Sequence, residues 1–172
     1  MMFALRIVAF ADLEEGVPLF APSHIISMMD TALTLPGEHA HLRVAVDDVT
    51  VPIEGYIHPV QAHLDQVLAF TADLTAMDRL LVHCFAGISR STAAAIAVLI
   101  QHGIDYAEAF KMVAAERPML LPNRALIRLT DRHFGLDGAL EAHVKRFYRQ
   151  QTLAWRAAYR LHGTSWRAHI GR

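Results

Sequence analysis

A single cysteine stands in this chain of 172 residues. That count excludes an intrachain disulfide framework and any structural zinc site built from several cysteines. It leaves two readings of Cys84, an inert core residue or a free reactive thiol. Charge is scarce as well: Asp, Glu, Lys and Arg make up 19% of the chain, below the usual quarter, so neither disorder nor a nucleic-acid-coating protein is the first expectation. Long apolar runs are missing. The longest, from Thr92 to Ile100, is far too short to span a bilayer, and the opening MMFALRIVAFADLEEG carries Arg6 inside its apolar part and no small-residue cleavage pattern. A cytoplasmic protein without a membrane span is the expectation.

Apolar residues supply 53% of the chain, and a chain of this length buries roughly 70% of its unfolded surface when it folds as one domain. The near-neutral charge of −1 conceals a split. Residues 1–135 carry a net −6, and residues 136–172 a net +5. The expected organisation is a single domain over residues 1–172, whose basic helical extension from 136 to 172 is packed on it or appended to it.

Phe3 to Phe10, His24 to Met29, Leu42 to Val46 and Arg79 to His83 read as strands, short and rich in β-branched and apolar residues. Ala11 to Ser23, with Gly16, Pro18 and Pro22, reads as a connecting segment, and Pro36-Gly37 as a turn. The stretch VTVPIEGYIHP after Asp47-Asp48 reads as a surface loop. Helical spacing follows in Val60, Leu64, Val67, Leu68 and Leu74, then in the nearly all-apolar STAAAIAVLIQHG closed by Gly103. Further helices are expected after Asp105, after Pro122-Asn123, and from about Asp137 to Leu161, the last with Leu140, Val144, Phe147, Tyr148, Trp155 and Tyr159 as its apolar stripe. The order predicts an α/β fold, a central mixed β-sheet flanked by helices, with a helical C-terminal half.

The chemistry is concentrated where the Arg79–His83 strand meets the next helix. Cys84-Phe85-Ala86-Gly87-Ile88-Ser89-Arg90 makes a tight turn whose successive N–H groups converge beside the positive end of that helix, an arrangement that binds anions. Arg90 adds a guanidinium fork matched to two phosphate oxygens, and Gly87 permits a positive φ or a close backbone approach. The same field lowers the pKa of Cys84 and makes it an accessible nucleophile at the mouth of the nest.

His83-Cys84-Phe85-Ala86-Gly87-Ile88-Ser89-Arg90-Ser91 resembles the HCxxGxxR(S/T) signature of cysteine-dependent protein phosphatases, and its GISRS ending is closest to the dual-specificity group. LRVAVDD (42–48) resembles the family's strand leading to its general-acid aspartate. Arg117-Pro118 and Pro122-Asn123 resemble its downstream RP…PN segment, so the likeness covers about residues 3–134. The resemblance implies that Cys84 attacks phosphorus and that Arg90, with the loop residues Phe85, Ala86, Gly87, Ile88 and Ser89, binds the phosphoryl oxygens. It further implies that Ser91 helps the thiolate leave, that His83 orients the loop, that Asn123 braces it, and that an aspartate serves as acid and then base. Family position and strand parity with Leu42, Val44 and Val46 favour Asp48, with Asp47 as the alternative and Glu54 as a more remote one. No cofactor and no metal are implied.

Other features read plainly. His39 and His41 have metal-like spacing without a third ligand and are expected as surface histidines, as are His58 and His63. Lys145, Arg146, Arg149, Arg156 and Arg160 read as a solvated helix face, or as a surface for a partner or for self-association through the C-terminal helix. The uncharged loop positions Phe85, Ala86, Ile88 and Ser89 disfavour a polyanionic lipid substrate, and the acidic catalytic body disfavours nucleic acid. A phosphorylated protein or small aryl phosphate is the expected substrate. A non-catalytic phospho-binding module is the competing class.

Overall fold

The computed structural model describes residues 3–162, with side chains through residue 153. Four strands form one sheet in the order β1-β4-β2-β3: β1 (Ala4–Ala9), β2 (His24–Ser27), β3 (Ala40–Arg43) and β4 (Arg79–Cys84). All three pairings are parallel, so the expected mixed sheet is corrected to a parallel one among the described residues. The connections explain this. Each strand returns to the same end of the sheet through a crossover of a dozen or more residues, and none through a hairpin.

Alternation along the strands sorts the chain into two layers. Ile26, Leu80, Val82 and Cys84 face the larger core, built with α2 (Gln61–Thr71), α3 (Arg90–Gln101), α4 (Tyr106–Glu116), α5 (Arg124–His133) and α6 (Ala139–His162). Val8, Ile25 and Leu81 face the other side, covered by α1 (Leu13–Phe20). Parity therefore sends Cys84 towards the helical core and His83 towards the α1 side.

Helix α1 corrects the expected connecting segment. Leu13, Val17 and Phe20 recur at helical spacing and are buried against the sheet, and this burial outweighs Gly16 and Pro18 inside the helix. The third strand begins two residues earlier than expected. Val44 and Val46 lie beyond its end yet are buried, because the chain runs on beside the end of β2, where the Val44 amide bonds the Ser27 carbonyl at 2.9 Å. Val60 is exposed rather than part of the apolar stripe. It precedes α2, and its amide donates to His63 Nδ1 at 3.1 Å, closing the first turn.

The first strand ends at Ala9, and Phe10, expected within it, opens a single 3₁₀ turn over Phe10–Asp12. Helix α3 is the axis of the larger core, with Ala93 to Leu99 buried without interruption. Asp105 and Asn123 cap α4 and α5 by accepting backbone N–H bonds. Leu140 and Val144 of α6 are buried, and Phe147 packs edge-on against Phe110 of α4 at 4.9 Å. Trp155, Tyr159, Arg156 and Arg160 lie outside the residues with described side chains. No helix among the described residues is long and apolar enough to cross a membrane.

Candidate active site

The site lies where open parallel sheets present their ligands, beyond the C-terminal ends of the strands. β4 runs between β1 and β2 and ends at Cys84. The chain then curls through Phe85–Ser89 into α3.

Partners outside the loop decide which way its peptide groups point. Phe10 N–H donates to the Phe85 carbonyl at 3.0 Å, Leu121 N–H to Ile88 at 2.9 Å and Asn123 N–H to Ser89 at 3.2 Å. Arg117 donates to the Ala86 carbonyl at 3.2 Å. The Thr92 hydroxyl reaches the Ile88 and Ser89 carbonyls at 2.6 and 2.9 Å. With four carbonyls held outward, amides are free to turn inward, and those of Ser91, Ile88 and Ser89 favour the thiolate form of Cys84.

Gly87 makes this turn possible. Its φ is +66°, and a Cβ would lie 2.6 Å from the carbonyl carbon and oxygen of Val8 and 2.7 Å from the Ala9 nitrogen. The loop thus rests directly on the backbone of β1.

Cys84 is 1% exposed. The thiol expected at the mouth of the loop sits on its floor, because the last residue of a central strand is enclosed by the sheet below and the loop above. Burial pushes its pKa up. The Ser91 hydroxyl, whose Oγ lies 3.2 Å from Sγ, and the amides of Ser91, Ile88 and Ser89 outweigh that and leave the thiol below its ordinary value. Arg90 is 8% exposed. One of its terminal nitrogens donates to the Val46 carbonyl at 2.8 Å, which ties the arginine to the segment carrying Asp47 and Asp48. Its buried Nε has no protein partner, a donor left free to bind an anion.

The two aspartates part company. Asp48 accepts at Oδ1 from the Ser89 hydroxyl at 2.6 Å and from Asn123 Nδ2 at 2.9 Å, so it stands at the lip of the loop. Asp47 Oδ2 instead accepts from the Ile57 N–H at 2.7 Å and closes the surface loop on itself. Glu54 is exposed on that same loop. Asn123, 2% exposed, joins three elements: its Nδ2 holds Asp48 and the Val49 carbonyl, its Oδ1 caps α5, and its amide holds Ser89.

His83 faces the α1 side, and its Nε2 is hydrogen-bonded to the Ser27 hydroxyl, which also meets His41 Nε2 at 2.7 Å. Ser27 and His83 are register partners on β2 and β4, a juxtaposition that no local spacing announces. His41, half-buried, is thereby tied to this hydrogen-bonded chain. Burial, followed by the positive neighbours His41 and Arg90 and opposed by the Cys84 backbone, lowers His83 to about 4. The imidazole is therefore neutral at pH 7, and amides and a hydroxyl, not an imidazolium, hold the thiolate.

This carries a stability consequence. The unfolded histidine titrates near 6.5 and the folded one near 4. As pH falls through that window the unfolded state takes up a proton that the folded state refuses. Stability is highest above pH 6.5, falls as pH drops, and levels off below about 4, with a loss on the order of 3 kcal/mol. Urea unfolding at pH 7 and pH 4.5 will show a smaller acid loss in His83→Gln than in the parent chain. An equal loss in both would place the acid sensitivity elsewhere.

The family model for the catalytic domain of dual specificity phosphatases matches residues 21–131. Mouse dual specificity protein phosphatase 15 is 33% identical over 103 residues, 59% of this chain and 41% of that protein. Human dual specificity phosphatase 28 is 38% identical over 86 residues, 49% of this chain and 46% of the relative. The match thus spans less than half the length of these relatives. The crystal structure of human dual specificity phosphatase 28 aligns at a TM-score of 0.60 with 28% identity, covering 81% of this chain and 94% of that one. In fold and in sequence, from β2 through the Cys84 loop to α5, this chain belongs to the dual specificity phosphatase family.

Proposed function

We propose that the protein hydrolyses phosphomonoesters on tyrosine, and on serine or threonine, through a phospho-cysteine intermediate. The observation that carries this reading is the convergence of three amides and the Ser91 hydroxyl on the Cys84 sulfur, beside the unpartnered Nε of Arg90. These donors stabilise a thiolate, and they are equally placed to stabilise equatorial phosphoryl oxygens during in-line transfer.

In the first step Cys84 Sγ attacks phosphorus while the bond to the leaving oxygen breaks. Asp48 gives that oxygen its proton, so an alcohol or phenol departs. In the second step the Asp48 carboxylate takes a proton from water, the water oxygen attacks phosphorus, and the S–P bond breaks. The Ser91 hydroxyl donates to the departing thiolate, and inorganic phosphate is released. Arg90 and the amides hold the phosphoryl oxygens throughout. Asn123 positions both the acid and the loop, and His83 anchors the end of β4 through Ser27.

Substrate class follows from what surrounds the nest. Phe85 is 69% exposed and offers a face to an aromatic leaving group. The loop itself carries no charge besides Arg90, which suits a single phosphoryl group there. A phosphorylated protein or an aryl phosphate fits this setting, and no cofactor is required by the chemistry. The test is hydrolysis of an aryl phosphate and of phosphotyrosine and phosphoserine peptides by the chain.

The acid assignment has its own measurement. Asp48→Asn is expected to lower kcat by about 10²- to 10³-fold and to abolish the alkaline limb of the pH–rate profile. Asp47→Asn, which only loosens the loop closure at Ile57, will cost several-fold at most. A small and equal loss in both variants would move the acid to another group such as Glu54.

A further inference from the structure

Helix α6 lies beyond residue 131, where the match to the family model ends, yet it is built into the domain. Asp131, 2% exposed, caps its first turn: the carboxylate accepts from the Gly138, Leu140 and Glu141 amides at 2.7, 2.9 and 3.1 Å. Leu140 and Val144 are buried in the core, and His143 and Phe147 both pack edge-on against Phe110 of α4 at 4.9 Å. From that seat the Tyr148 hydroxyl donates to the Pro122 carbonyl at 2.8 Å, in the turn that leads into α5.

That carbonyl shares one peptide unit with the Asn123 N–H. The unit is trans, so its oxygen and its hydrogen point in opposite directions across a rigid plane. Tyr148 holds the oxygen, and the Ser89 carbonyl accepts the hydrogen at 3.2 Å. With both ends held the plane cannot rotate, and a hydrogen bond at the oxygen strengthens the donor at the other end. The Asn123 side chain is oriented from this plane. Its Oδ1 accepts from the Ala125 and Leu126 amides, which turns its Nδ2 towards Asp48 Oδ1, at 2.9 Å. We propose that Tyr148 is a positioning residue for the general acid: its hydroxyl orients the Pro122–Asn123 peptide, and Asn123 thereby aims Asp48 at the leaving group. The inference rests on the phosphatase reading above and adds α6 to the catalytic unit. Burial raises the Tyr148 phenol to about 12, opposed by Arg124 and reinforced by Asp48. The hydroxyl therefore keeps its proton, and remains a donor, at any pH where the enzyme would work.

The test is Tyr148→Phe, which keeps the ring in its place, removes one donor and should lower the Tm by only a few degrees. For aryl phosphates kcat/KM reports the first step, in which the acid matters more as the leaving oxygen becomes more basic. Phenyl phosphate is expected to lose about tenfold, the upper range of one hydrogen bond. The phenoxide of 4-nitrophenyl phosphate leaves with little help, so that ester should lose about twofold at most. In the Asp48→Asn chain, adding Tyr148→Phe should cost phenyl phosphate no more than about twofold, because the acid it positions is already gone. An equal loss for both esters, no loss for either, or the full loss repeated in the Asp48→Asn chain overturns the proposal. A parent chain that hydrolyses neither ester would sink the phosphatase reading instead. The coupling is then read without turnover from the Asn123 side-chain amide resonances, which should move in Tyr148→Phe as they do in Asp48→Asn. Resonances that Tyr148→Phe leaves in place overturn the positioning role.

Discussion

Cys84→Ser is expected to abolish turnover, by on the order of 10⁵-fold, the scale seen when a catalytic nucleophile is removed. The reason lies in the loop and not in the thiol alone. The donors that converge on Sγ remain in the variant, since the carbonyls of Phe85, Ala86, Ile88 and Ser89 are still held outward by Phe10, Arg117, Leu121 and Asn123. A serine hydroxyl in the same place keeps the hydrogen bond to Ser91 but does not ionise at neutral pH, and so is a far weaker nucleophile than a thiolate. Phosphopeptide binding should therefore survive or tighten while hydrolysis disappears. Relative to the parent chain, stability should fall slightly as pH rises, because the depressed thiol pKa contributes stability that a serine cannot supply. Calorimetry, a peptide titration and an aryl phosphate assay on one preparation check all three. Residual turnover within tenfold of the parent would mean that another group attacks phosphorus.

How far the sequence reveals this site depends on the range of each interaction. The Cys84–Arg90 loop is legible because its strand, turn and helix are contiguous, although Phe10, Arg117, Leu121 and Asn123 complete the aim of its peptide groups. Parity along the LRVAVDD segment favours Asp48 over Asp47, and it is Asp48, not Asp47, that lies beside Ser89. Three features were not legible. The Ser27–His83–His41 chain exists only through strand register, which composition does not encode. Helix α1 hides behind Gly16 and Pro18, because burial of Leu13, Val17 and Phe20 overrides local propensity. The docking of α6 beside the site requires it to return to the turn before α5, and the Tyr148–Pro122 bond that holds it there spans 26 residues. Charge counting alone saw a solvated helix face.

Gly87→Ala is expected to damage both the fold and the reaction, and a second glycine separates the two effects. At Gly87 an alanine must adopt φ near +66°, at a cost of about 1–2 kcal/mol for a left-handed residue. Its Cβ must also occupy space 2.6 Å from the Val8 carbonyl. That neighbour is backbone within a paired strand and cannot swing aside as a side chain would, so relief has to come from the loop lifting off β1. Overpacking of this kind adds about 1–3 kcal/mol, and the whole lowers the Tm by roughly 5–15 °C for a chain of this size. The lift also carries the amides of Ile88 and Ser89 away from Sγ, and a displacement near 1 Å costs about 100-fold in rate. Gly103 has a comparable φ of +82° but nothing within 4 Å of its Cβ position, at the end of α3 far along the chain from the loop. Gly103→Ala should show the conformational cost alone: a Tm lowered by a few degrees with kcat/KM unchanged. If Gly87→Ala matched Gly103→Ala in both measurements, the rigid seat of the loop on β1 would have no part in holding the thiolate, and the lowered pKa of Cys84 would have to arise from Ser91 alone.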